Sequence, residues 1–187
     1  YLSSGSHTYT GTTTLTAGTL LVGSDTVGTI TSSAIGIGTF IVNGGTISSD
    51  SGSARTLKNA VSFTGNGTFG DGTNTGKLTF TGATELGNSA DRTITVADST
   101  TTEFSGIIGD GAGDYGIVKA GAGTLILSGA NDYTGTTTIS AGVLTAANNN
   151  ALGTTDGNTS VANGAALQLS GTGTITIGAG EDITLNG

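Results

Sequence analysis

The 187-residue chain is acidic and rich in glycine, with a net charge of −8, 35 glycines and no proline, cysteine, methionine or tryptophan. Disulfides are therefore excluded, and the five basic side chains, all between Arg55 and Lys119, are too few and too scattered to track a nucleic-acid backbone or an anionic membrane. Only 10% of residues are charged, no run approaches the ~18 apolar residues of a spanning helix, and the regular runs of Thr, Ile, Val and Leu point to β structure rather than disorder.

In chain order, short stretches alternating with period two, bounded by Gly, Asn, Asp or Ser, predict strands. The first are Thr12–Leu15, Thr19–Val22, Phe40–Val42, Val61–Phe63, Lys77–Phe80, Thr84–Leu86 and Thr93–Val96. Thr102–Phe104, Thr124–Leu127, Thr136–Ile139, Val143–Thr145, Ala166–Leu169, Thr174–Ile177 and Asp182–Leu185 follow. No ten-residue window carries the i, i+3, i+4 pattern of a helix. The eleven residues TGTTTLTAGTL (Thr10–Leu20) return almost unchanged as TGTTTISAGVL (Thr134–Leu144), each copy preceded by a tyrosine, Tyr9 or Tyr133. Fixed-offset self-similarity is the mark of a repeat architecture.

Strands this short, with irregular spacing and few two-residue hairpin turns, fit an all-β solenoid. In such a fold each strand pairs with its equivalent one turn above and below, around a narrow continuous core. An antiparallel sandwich is the alternative. The absence of proline suits a fold in which most strands have neighbours on both sides. Leu125, Leu127, Ile139, Leu144, Leu167 and Leu169 are expected to point inward, with Leu15 and Leu20 as the counterparts of Ile139 and Leu144.

Lys119 to Gly171 reads KAGAGTLILSGANDYTGTTTISAGVLTAANNNALGTTDGNTSVANGAALQLSG. Its K-x-G-x-GTL-x-L-SG lead, N-x-YTG-TT element, AG-x-L step, N-x-N-ALG segment and closing GAALQLSG resemble the passenger-associated transport repeat, also called the autotransporter-associated β-strand repeat. The resemblance implies a right-handed parallel β-helix in the secreted passenger of a large bacterial surface protein, serving as stalk and associated with efficient outward transport. It divides one continuous solenoid into a partial repeat at 1–23, a divergent middle at 24–118, a full repeat at 119–171 and the start of a further turn at 172–187.

Chemistry has little to work with. The single histidine, His7, has no cysteine to share a metal with, and its counterpart in the second copy is Asn131. Carboxylate pairs that a glycan-cleaving enzyme would need are Asp110 with Asp114, Glu181 with Asp182, and Asp91 with Asp98 or Glu103. Spacing alone does not give the separation such a pair requires. Within GDGAGDYG (Gly109–Gly116), Asp110 and Asp114 are weak candidate calcium ligands, although neither an EF-hand loop nor the calcium-binding nonapeptide is present. The glycine-rich runs near Gly121 and Gly178 lack the lysine–serine pair of a phosphate loop. Thr8, Thr10, Thr12, Thr14 and Thr16 fall at alternate places, as on an ice-binding face or an ordinary solvated strand. Tyr1, Tyr9, Tyr115 and Tyr133 are candidates for carbohydrate contact, with a packing role favoured for the equivalent Tyr9 and Tyr133.

The expected function is a non-enzymatic extracellular stalk or adhesin segment with no cofactor. Its expected partners are further turns of its own chain or other copies stacked end to end, and glycans or surface proteins. A self-assembling filament subunit and a glycan-binding or glycan-cleaving β-helix are the alternatives. The end segments 1–23 and 171–187, lacking a polar cap, are expected to form stacking faces.

Overall fold

The computed structural model describes residues 7–26, 30–87, 89–171 and 173–187, and among them every regular element is a β-strand. The chain winds through about seven turns of a parallel β-solenoid. The first turn holds β1 (Thr13–Leu15) and β2 (Thr19–Val22), and the second β3 (Phe40–Val42), β4 (Thr46–Ser49) and β5 (Arg55–Leu57). The third has β6 (Val61–Phe63), β7 (Gly67–Phe69) and β8 (Leu78–Phe80), and the fourth β9 (Thr84–Glu85), β10 (Arg92–Val96) and β11 (Thr101–Phe104). The fifth has β12 (Ile108–Gly109), β13 (Ile117–Ala120) and β14 (Thr124–Leu127). Then come β15 (Thr137–Ile139) with β16 (Val143–Ala146), β17 (Thr159–Ala162) with β18 (Ala166–Leu169), and β19 (Ile183–Asn186).

These strands build three faces. The first face is the five-stranded sheet β1-β3-β6-β9-β12, and the third is the six-stranded sheet β5-β8-β11-β14-β16-β18. Between them lies an eight-stranded second face, β2-β4-β7-β10-β13-β15-β17-β19, and all the ladders between named strands are parallel. Inward positions align in columns, for example Leu57, Phe80, Phe104, Leu127 and Ala146, all fully buried. The five phenylalanines of the divergent middle supply its bulk. Phe80 and Phe104 stack at 4.9 Å, Phe69 meets both edge-on at 5.6 Å, and Phe63 closes the cluster. Such pairs add stabilisation beyond the area they bury.

Corners are as constrained as the core. After β8, β11 and β14 the chain leaves the third face through Gly82, Gly106 and Gly129, stacked in a column. A Cβ on Gly106 would lie 2.0 Å from the Gly82 carbonyl oxygen, and one on Gly129 would lie 2.2 Å from that of Gly106. Successive turns thus approach too closely for any side chain. Gly106→Ala is expected to cost about 1–3 kcal/mol or more in urea unfolding, whereas Gly52→Ala, with open space around it, should stay within about 0.5 kcal/mol of the parent. Equal effects at the two sites would contradict the stacked-corner account.

Most expected inward residues are inward. Leu125, Leu127, Ile139 and Leu144 are fully buried and Leu15 nearly so, while Leu20 and Leu167 are partly buried against the core. Leu169 is a correction: it continues the buried Leu127–Ala146 column but lies 49% exposed, because β18 is the last strand of the third face among the described residues. Thr174–Ile177 is a second correction. The alternation is there, but the segment joins no ladder, and Thr176 N–H donates instead to Asn149 Oδ1.

The two copies of the repeated stretch are not related by a whole number of turns. In the first copy β1 lies on the first face and β2 on the second; in the second copy the equivalent β15 and β16 lie on the second and third. The copies therefore stand five turns and one further face apart. What the stretch encodes is local: a strand, a glycine corner and a second strand, without preference for a face.

Candidate functional site

The second copy concentrates buried polar groups. Lys119 occupies an inward position in β13 between Ile94 and Ile139, two fully buried aliphatic residues, and is itself fully buried. Its ammonium group donates to three backbone carbonyls, those of Ala120 at 2.8 Å, Gly121 at 2.7 Å and Ala141 at 3.0 Å. All three donors are used, and the side chain ties the corner of one turn to that of the next. Burial lowers its pKa from 10.5 to about 8. Asn131 spans three turns in the same way: Ile108 N–H donates to its Oδ1 at 2.9 Å and its Nδ2 donates to the Ala151 carbonyl at 2.7 Å. In the first half, buried Asn59 donates to the Gly36 and Gly38 carbonyls and accepts from Ser33.

The candidate calcium ligands lie beside an acidic cleft of about 370 Å³, bordered by Glu85, Gly109, Asp110, Asp132 and Thr134. Asp110 is nearly buried, and its Oδ2 accepts from Thr134 Oγ1 at 2.7 Å, Thr134 N–H at 2.9 Å and Tyr115 N–H at 3.2 Å. Desolvation would raise its pKa, but these hydrogen bonds outweigh it and hold the carboxyl below its ordinary value. Asp114 accepts from the same Thr134 hydroxyl at 3.3 Å. The pair thus closes its own loop onto the next turn. Among the described residues, no three His, Cys, Asp or Glu side chains are grouped to hold a metal ion.

Two of the other candidate carboxylates also join turns: Asp91 accepts from Gly116 N–H, and Glu103 accepts from Ser128 Oγ while pairing with Lys77. Asp98 accepts only from the adjacent Ser99 N–H. Burial pushes the Glu181 pKa up, the Thr159 hydroxyl opposes this, and nearby Asp182 adds to it. Glu181 borders a second cleft of about 260 Å³ with Leu152 and Ile177. His7 pairs through its backbone with Ser33, and its ring lies 6.2 Å from that of Tyr9. Tyr1 lies outside the described residues. Tyr133 is fully buried, Tyr115 packs partly buried against the core, and Tyr9 is exposed.

Of the alternating threonines, only Thr14 faces outward from a strand, because Thr12 precedes β1 and Thr16 follows it. The threonine rank runs instead across turns, through Thr19, Thr46, Thr68 and Thr95 on the second face. Neither this column nor the role of Lys119 was visible in local spacing, since the aligned residues lie a full turn apart.

The family model of the passenger-associated-transport-repeat matches residues 1–22 and 117–146. Over 127 residues, covering 64% of the chain, the sequence is 38% identical to the adhesin BmaC autotransporter of Brucella suis biovar 1 (strain 1330). The chain spans about 4% of that relative's length. No solved structure matches. Both family matches fall on the two copies of the repeated stretch, so the chain carries sequence similar to the passenger-associated transport repeat on a parallel β-solenoid.

Proposed function

We propose that this chain is a length of stalk in a bacterial surface adhesin, a stiff spacer without catalytic activity that stands on the outer cell surface. The observation that supports it best is the use made of its polar groups. Lys119, Asn131, Asn59 and Asp110 all spend their hydrogen-bonding capacity holding adjacent turns together. With parallel ladders running along the axis, such ties resist bending and proteolysis. The relative's description as an adhesin supports the same reading. A longer stretch of the parent polypeptide should image as a rod by electron microscopy, lengthening by about 4.8 Å per added turn, and should resist protease. Flexible or collapsed particles, or turnover of polysaccharide by the purified chain, would overturn it.

A second reading is end-to-end assembly. Leu169, Ile183 and Leu185 are exposed on the last rungs although their columns are buried one turn earlier, at Ala146, Thr159 and Val161. Further turns from the same polypeptide, or another copy stacked head to tail, would cover them; the latter would propagate as an open fibre. Light scattering of the isolated chain separates these outcomes. Polymer growth with concentration supports assembly, and a concentration-independent monomer rejects it.

A further inference from the structure

Each copy of the repeat contains the same small constellation. In the second, the Tyr133 hydroxyl lies 2.7 Å from Thr137 Oγ1, and that threonine donates to the Leu152 carbonyl at 3.3 Å. In the first, the Tyr9 hydroxyl lies 2.6 Å from Thr13 Oγ1, which donates to the Ile35 carbonyl at 2.8 Å. Because the threonine's single hydrogen is spent on the carbonyl, the tyrosine is the donor in each pair. A glycine follows each accepting residue and lets the ring lie close: a Cβ on Gly153 would be 2.8 Å from the Tyr133 ring, and one on Gly36 would be 2.3 Å from that of Tyr9. The next residue then bonds back to the tyrosine carbonyl, Thr154 N–H to Tyr133 and Ile37 N–H to Tyr9, both at 2.9 Å. The equivalence extends further: SAIG (Ser33–Gly36) stands to the first copy as NALG (Asn150–Gly153) stands to the second.

Both constellations sit opposite stretches where the ladder is interrupted. Residues 147–158 between β16 and β17 contain no strand, nor do the described residues between β2 and β3. Such a stretch can take up or release slack. A parallel strand that slips by two residues keeps its inward and outward sides, so hydrophobic patterning does not forbid the slip. Moving β17 by two places would set Thr159 against Ile139 in place of Val161, a tolerable exchange. Ladder bonds alone do not choose between these registers.

We infer that the tyrosine–threonine pair is a register clasp: it fixes which residue of the returning chain stands above the tyrosine, and so sets the alignment of every strand that follows the strandless segment. Since the clasp joins a repeat only to the chain directly above it, it works on both of the faces where the two copies fall.

The chain has no cysteine, so introduced pairs report register cleanly. Thr138 and Ser160 are ladder partners, whereas Thr138 with Asn158, or with Ala162, reports a two-residue slip in either direction. Cysteine pairs at these positions are treated with the short fluorescent dithiol cross-linker dibromobimane. The otherwise unaltered protein is expected to link only the 138–160 pair. Tyr133→Phe/Thr137→Val should gain at least tenfold in one slipped cross-link while keeping its β circular dichroism. Tyr133→Phe alone, which keeps the ring and removes only the hydroxyl, serves if the double variant does not fold. A variant that melts lower yet still cross-links only in register, or one that behaves like the parent in both respects, would overturn the inference.

Discussion

Leu144→Asp is expected to destabilise the chain by on the order of 5 kcal/mol, enough to abolish most of the folded population of a solenoid this size. Leu144 is fully buried on the third face, in register with Leu125 below and Leu167 above. Both of its ladder neighbours are leucines, so the column offers a carboxylate nothing to replace its hydration. It would have to fold protonated or not at all. Ala166→Asp is the matched control. Ala166 is exposed in the next rung, and the substitution should change stability by about 0.5 kcal/mol or less. Chemical unfolding of both variants measures the difference, and a Leu144→Asp variant that melts with the parent would place this residue outside the core.

Lys119→Met is expected to cost about 2–4 kcal/mol at pH 7. It leaves the carbonyls of Ala120, Gly121 and Ala141 without their shared donor, each loss amounting to about 1–3 kcal/mol, offset in part because no charge then needs burying. The pH dependence carries the sharper signature. Unfolded, the lysine loses its proton near 10.5; folded, near 8. Between those values the unfolded chain binds the extra proton, so stability should rise with pH, by about 1–2 kcal/mol between pH 8 and 9.5. Tyrosine reverses the trend at higher pH. Burial raises the Tyr133 pKa above its ordinary 10.0, so ionisation of the unfolded phenol lowers stability above about pH 10. Melting temperatures across this range should show the rise in the parent and lose it in Lys119→Met. A parent curve that is flat from pH 8 to 9.5 would mean that Lys119 is not desolvated.

Much of the fold was legible because alternation survives in its best strands. Thr19–Val22, Phe40–Val42, Val61–Phe63, Thr124–Leu127 and Ala166–Leu169 lie where period two placed them. The strands that alternation missed have a common cause. β4 has one large apolar residue in Thr46–Ser49, β7 opens on Gly67, and β13 turns a lysine inward. Each is held by neighbours one turn away along the chain, so its own residues need not carry a hydrophobic signal. The same distance hid the threonine column and the ties made by Lys119 and Asn131. For Asp110 and Asp114, spacing had no means of showing that Thr134, from the next turn, would bond both carboxylates.

The one-face offset between the two repeats has a consequence for how such a protein meets its surroundings. The segment after β2 passes beside β5, where Thr26 N–H donates to the Thr56 carbonyl, whereas residues 147–158 pass on the side of β12, reached through Asn131. Connections without strands are where a fold tolerates changes in length and composition. Because the two repeats begin on different sides, such variable connections need not line up along one edge. Copies spaced like these two would distribute them around the circumference, as a spiral stair distributes its landings, so that a molecule approaching from any direction meets one of them.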